Sequence, residues 1–135
     1  MNNVIILSQN IALRKEIKEA LRDLQVKIVA EAGNIKQAVE AMQVASTKLI
    51  LVDMFLGEIS GLDAAKSLKK VDDSLTIILI SRLKSRNMVE RAFRYGAADY
   101  LIYPFTAVTL QTAVAHRLEQ IGIESSVSFQ DQTDS

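Results

Sequence analysis

The chain has no cysteine, which excludes disulfides, thiolate metal sites and a cysteine nucleophile, and is compatible with a reducing compartment. It has no surplus of either charge. Sixteen Lys plus Arg balance 16 Asp plus Glu, for a formal net charge of zero. No global field therefore draws it to nucleic acid or to an anionic membrane, and any partner has to be recognised locally. Long apolar runs are missing as well. The segments "VIIL" and "TIILI" fall far short of the roughly 20 residues a membrane span needs. No basic segment precedes the apolar run of "MNNVIIL", so the amino terminus does not read as a signal peptide. These absences predict a soluble, cytoplasmic protein. No GxGxxG or Walker A pattern occurs, which removes dinucleotide and P-loop NTPase readings.

What is present is a chain of 135 residues, 49% of them hydrophobic. That is enough for one domain burying about two thirds of its unfolded surface. Short aliphatic runs alternate with amphipathic segments of helical length. "NVIILS" is followed by "IALRKEIKEALRDL", whose Leu13, Ile17, Ala20, Leu21 and Leu24 share one helical stripe. Asn10 stands where its side chain caps that helix. The pattern recurs in "VKIVAEA" with "NIKQAVEAMQVA", "KLILVD" with "SGLDAAKSLKKV", "LTIILIS" with "SRNMVERAFRYG", and "ADYLIY" with a helix over about 106–121. Five βα units result. Strands this aliphatic call for helices on both faces and a parallel sheet, and right-handed crossovers make it an open, doubly wound α/β sandwich. Residues 1–122 form this domain, and the polar, unpatterned 123–135 read as a tail or the start of a linker.

Ligands of such sheets bind beyond the carboxyl ends of the strands. Those ends carry Ser8, Gln9 and Asn10, then Asp53 to Phe55, then Ser81 and Arg82, then Tyr103 and Pro104. Asp53 thus belongs to a rim where a carboxylate faces groups from neighbouring strands. Other polar candidates sit elsewhere. His116 lies among Val114, Ala115 and Leu118 with no second His or Cys nearby, and reads as a helix-surface residue. Asp72 and Asp73 fall in the turn before the fourth strand, at the opposite end of the sheet. Gly96 caps the fourth helix.

Over residues 3 to about 121 the chain resembles the receiver domain of two-component response regulators (CheY-like). The likeness rests on "VDMFLGEISGLDAAKSLK", on "IILIS" ending in a hydroxyl residue, and on "RAFRYGAADYLIYPF". It implies a five-stranded (βα)5 receiver or flavodoxin-like fold with strand order 2-1-3-4-5. On it, Asp53 matches the phosphoacceptor, Ser81 the switch hydroxyl, Tyr100 the switch aromatic, and Pro104 the proline that follows a cis peptide. The departures are equally specific. Where receivers carry an acidic pair for magnesium, this chain has Ser8 and Gln9. Where they carry a lysine before the proline it has Tyr103, and Gly57 replaces the usual proline of the loop after the phosphoacceptor.

The loss falls on chemistry and spares the fold. Magnesium demands octahedral oxygen coordination and is held by one or two carboxylates plus phosphate oxygens. Phosphoryl transfer is catalysed by positioning and by neutralising charge with metal and cations. Magnesium binding is therefore expected to be lost or very weak, with no other cofactor or metal. Arg82 is a candidate to pair with Asp53 in its place, the alternative being that it points to solvent beside Lys84 and Arg86.

The favoured function is a degenerate, non-enzymatic receiver acting by protein contact through the fourth helix, fifth strand and fifth helix, with Arg91, Arg94, Tyr95 and Tyr100 on its docking face. Its partner would be a sensor kinase or a downstream effector, and a homodimer is left open. With zero net charge and no aromatic stacking series, direct nucleic-acid binding is a poor reading, as is a membrane. Two alternatives stand beside it. One is a working receiver phosphorylated on Asp53 by a sensor histidine kinase. The other is a small flavodoxin-like enzyme or nucleotide binder, weakened by a rim with no base and no phosphate loop.

Overall fold

The computed structural model describes residues 2–134, with side chains as far as Ile123. Five strands and five helices alternate: β1 (Asn2–Leu7), α1 (Ile11–Leu21), β2 (Val26–Ala32), α2 (Ile35–Val44), β3 (Leu49–Asp53), α3 (Gly61–Val71), β4 (Thr76–Ser81), α4 (Arg86–Arg94), β5 (Asp99–Ile102) and α5 (Ala107–Asp134). All strand pairs of the sheet are parallel, in the order β2-β1-β3-β4-β5. The order reverses beside β1, so a crevice opens at the carboxyl ends of β1 and β3. A small antiparallel ribbon, Phe55–Leu56 against Ile59–Ser60, stands in the loop after β3.

Strand alternation divides the core into two layers. Ile5, Leu7, Ile50, Val52, Ile77 and Leu79 pack under α2, α3 and α4, through Ala38, Leu62, Leu68 and Ala92. Their neighbours Val4, Ile6, Leu49, Leu51, Ile78 and Ile80 pack under α1 and α5, through Leu13, Ile17, Leu21, Leu110 and Val114. Burial is complete along β3, whereas the edge strands β2 and β5 keep partly exposed positions.

Helix starts follow their capping residues. The side chains of Asn10, Asn34, Ser60 and Ser85 each accept the N–H three residues on, from Leu13, Gln37, Asp63 and Met88. The fourth helix ends in a Schellman turn: Gly96 N–H reaches Phe93 O at 3.1 Å and Ala97 N–H reaches Ala92 O at 3.0 Å, with Gly96 at φ +110, a conformation glycine adopts without Cβ strain. One expectation is corrected. The sequence suggests a last helix ending near 121, and α5 instead continues to Asp134. The stretch is polar but holds no proline to stop a helix already propagating. No helix among the described residues is long and apolar enough to cross a membrane.

Candidate functional site

The parallel register decides which rim groups meet. Ile6 pairs with Leu51 and Leu7 with Val52, so one step further Ser8 faces Asp53, on the sheet face shared by Val4, Ile6, Leu49 and Leu51. Ser8 Oγ donates to Asp53 Oδ2 at 2.8 Å, and the Phe55 N–H donates to Oδ1 at 3.1 Å. Both residues are inside the protein, Ser8 at 1% exposure and Asp53 at 8%. Burying a carboxylate costs several kcal/mol unless hydrogen bonds or charges compensate it, and here a hydroxyl and a backbone amide do so. Ser8 is itself held, accepting from Asn10 N–H at 3.1 Å, while its carbonyl accepts from Arg14 Nε at 2.7 Å.

Gln9 has a binding role of a different kind. Its Nε2 donates to Gly33 O at 3.1 Å and to Leu56 O at 3.0 Å. One carboxamide thereby ties the loop after β2 to the loop after β3. Gly57, at φ +78, lets the ribbon turn beneath it, and a Cβ there would stand 3.2 Å from Gln9 Oε1. The donors around Asp53 are thus one carboxylate, a hydroxyl already spent on it and a carboxamide whose nitrogen faces two carbonyls.

Ser81 and Tyr100 converge on one residue. Ser81 Oγ accepts the Leu83 N–H at 3.0 Å, and Tyr100 Oη donates to the Leu83 carbonyl at 2.6 Å. The two side chains clip the loop between β4 and α4. Asp53 pairs in register with Ile80, which leaves Ser81 one step beyond and turned to its own loop.

Arg82 does not bridge Asp53, which corrects one expectation: the ion pairs among the described residues do not include that pair. Its guanidinium lies over the Tyr103 ring, 4.5 Å from the centroid. An aromatic face is available at the next strand end, while Asp53 already has its partners. Tyr103 in turn stands edge-on to Phe105 and donates its hydroxyl to Glu16 Oε1 at 3.1 Å. That bond is the main reason its phenol is pushed above the usual tyrosine value, with desolvation and the Glu16 charge adding to it. The Tyr103–Pro104 peptide is cis. A cleft of about 270 Å³ opens among these groups, walled by Gln9, Asp53, Ser81 and Arg82 and floored by Leu13 and Ile80.

The four residues assigned to a docking face occupy two places. Tyr95 sits between α4 and α3, with Arg91 at 5.9 Å and Lys66 at 5.6 Å from its ring centroid, and Arg94 lines the same cleft. Tyr100 turns to the rim loop. His116 is exposed on α5. Asp72, at the opposite end of the sheet, is held by Ser74 and by Lys48 at 2.9 Å, and its pKa falls to about 2. The sequence reading missed Glu16, Arg14 and Leu83. Glu16 and Arg14 follow from continuing α1 after its Asn10 cap, but Leu83 contributes only backbone atoms and leaves no signal.

Comparison with known proteins places this geometry. A family model described as Response regulator receiver domain matches residues 4–115. The chemotaxis protein CheY of Bacillus subtilis is 32% identical over 113 residues, covering 84% of this chain and 94% of that protein. The transcriptional regulatory protein PdtaR of Mycobacterium tuberculosis is 31% identical over 113 residues, covering 82% of this chain and 54% of that protein. A solved CheY-like receiver domain protein from Methanospirillum hungatei superposes with a TM-score of 0.81 at 16% identity, covering 92% of this chain and 98% of that one. At that identity the likeness speaks for the fold alone.

Proposed function

Because this chain belongs to the response regulator receiver domain family of two-component signalling, we propose that it is a degenerate receiver, which keeps the fold and the switch parts but transmits by protein contact without a metal-dependent phosphoryl step. The observation that carries the reading is the 2.8 Å hydrogen bond from Ser8 to Asp53. A neutral hydroxyl stands where receivers supply acidic metal ligands, and the donor set left is one carboxylate. Such a set does not fit an ion that wants octahedral oxygens and gives up water reluctantly. Tyr103 occupies the lysine position, and its hydroxyl is turned to Glu16. The acidic pair that would hold a metal and the lysine that would pair with a transferring phosphoryl group are both replaced, and the cation that lines the cleft is Arg82, stacked on Tyr103.

Without differential binding at Asp53, only a partner that prefers one arrangement of Tyr100 can move the equilibrium. The face built from α4, β5 and α5 is the surface assigned to that partner, a sensor kinase or a downstream effector. The working-receiver reading, with Asp53 phosphorylated by a sensor histidine kinase, is favoured by one observation: Asp53 lines the open cleft and is in no ion pair with another described residue.

Incubation with magnesium and a small acyl-phosphate donor, read by intact mass, separates the two. The wild type is expected to gain no phosphoryl group, and the Ser8→Asp, Gln9→Asp, Tyr103→Lys variant to gain one. Stoichiometric phosphorylation of the wild type that disappears in Asp53→Asn overturns the degenerate reading.

A further inference from the structure

Two short segments repeat one spacing. In "KSLKK" Lys66, Lys69 and Lys70 fall at i, i+3 and i+4, and in "RAFRY" Arg91, Arg94 and Tyr95 do the same. Each set therefore forms one stripe on its helix, and the fold turns the stripes toward each other. Lys66 Nζ and the Arg91 guanidinium lie 5.6 and 5.9 Å from the Tyr95 ring centroid. Gly96, just past the end of α4, leaves room for the Lys69 side chain: a Cβ there would lie 2.8 Å from Lys69 Cγ. Between them is a cleft of about 500 Å³ lined by Lys66, Lys69, Lys70, Arg94, Tyr95 and Gly96.

Among the described residues, no ion pair neutralises the positive charge of this cleft. The ion pairs among the described residues are Lys18–Glu31, Lys48–Asp72, Arg86–Glu90 and Arg117–Asp99, and none uses a cleft residue. Lys69 is spent on the carbonyls of Asp73 and Leu75, at 2.6 and 2.8 Å. Lys66, Lys70, Arg91 and Arg94 remain. Complementing the helix dipoles accounts for cations in the last turns, but it does not explain Lys66, one turn earlier, or the convergence of both stripes on one tyrosine.

We propose that the cleft between the C-terminal halves of α3 and α4 docks an acidic segment of a partner protein, its carboxylates held by Lys66, Lys70, Arg91 and Arg94 around the Tyr95 ring. In a chain of zero net charge a local excess of one sign gives orientation and on-rate to an oppositely charged partner. Arg and Tyr are also the residue types that most often carry interface energy. A protein segment fits better than nucleic acid, whose affinity comes from a track of phosphate contacts. Here the cations converge on one compact cleft and do not form an extended track. The inference rests on the docking reading and adds to it the chemistry of the partner and the α3 wall of the site.

The test uses the full chain, isotope-labelled, titrated with a short Glu/Asp-rich peptide, its Gln/Asn counterpart, and a single-stranded oligonucleotide of equal charge, at low and physiological salt. The acidic peptide is expected to shift the amides of residues 66–70 and 94–96, to bind more weakly as salt rises, and to lose at least tenfold in affinity in Lys66→Glu with Lys70→Glu. Both lysines are exposed, and the amide spectrum of the variant checks its fold. Equal binding of the Gln/Asn peptide, shifts confined to other surfaces, an unaffected charge-reversal variant, or tighter binding of the oligonucleotide overturns the proposal. Intact-mass phosphorylation of the same samples reports on the degenerate-receiver reading separately. Phosphoryl uptake defeats that reading and leaves the cleft standing, while loss of peptide binding without uptake defeats only the cleft.

Discussion

Ser8 and Asp53, 45 positions apart in the chain, share a 2.8 Å hydrogen bond inside the protein, because parallel register sets the ends of β1 and β3 side by side. Removing the donor leaves a buried carboxylate oxygen without its partner, which costs about 1–3 kcal/mol. Ser8→Ala is expected to lower the unfolding free energy by that much, read as a lower denaturant midpoint at an unchanged slope. A midpoint equal to the wild type shows that water replaces the hydroxyl at no cost.

The absent acidic pair predicts the metal response. In the wild type, magnesium at millimolar concentration is expected to cause no saturable shift of the Asp53 amide. In Ser8→Asp with Gln9→Asp, three carboxylates crowd one rim, so the variant is expected to be less stable without metal and to regain stability as magnesium binds. Saturable shifts in the wild type, or none in the variant, contradict the account.

Ser81 and Tyr100 act on the two backbone groups of Leu83, so their effects are coupled. Tyr100→Phe and Ser81→Ala should each cost about 0.5–1.5 kcal/mol and speed amide exchange in residues 83–85. The double variant should cost less than the sum. Strict additivity would mean that the two bonds hold the loop independently.

Tyr103 titrates above the usual tyrosine value, chiefly because its proton is shared with Glu16. Glu16→Gln should bring the phenol down toward the ordinary value, and Arg82→Ala should push it further up, since the guanidinium over the ring favours phenolate. Ultraviolet titration of the three proteins, with Tyr103→Phe to assign the signal, reads the order directly.

Asp72 has its pKa lowered to about 2 by the Ser74 hydrogen bond and by Lys48. A depressed folded pKa contributes stability that is present above the unfolded value and lost as pH falls through the folded one. The wild type should therefore exceed Asp72→Asn near neutrality, by less than about 1 kcal/mol for so exposed a pair. That margin should close between about pH 4 and pH 2. A margin that stays constant across this window would assign it to packing.

The architecture was legible because it depends on pattern. Aliphatic runs bounded by amphipathic segments fix five βα units, and Asn10 marks its helix start by the same chemistry in sequence and in structure. Asp53, Ser8, Gln9, Ser81 and Tyr103 could be placed on one rim because each ends a strand or directly follows one. What those side chains do there was not legible. Arg82 could reach Asp53 or solvent by sequence, and it settles on Tyr103, a choice made by which acceptor already had partners. The end of α5 was misjudged because polarity is not a stop signal.

By itself, then, the sequence determined the order of elements, the burial of the sheet on both faces and the chemical poverty of the rim, since all three follow from residue type and periodicity along the chain. Only the tertiary structure decided that Ser8 compensates Asp53, that Gln9 ties two loops, and that "KSLKK" and "RAFRY" line one cleft. Those contacts join residues between 24 and 47 positions apart in the chain. They depend on strand register and on how the helices are set side by side, neither of which has a period to read.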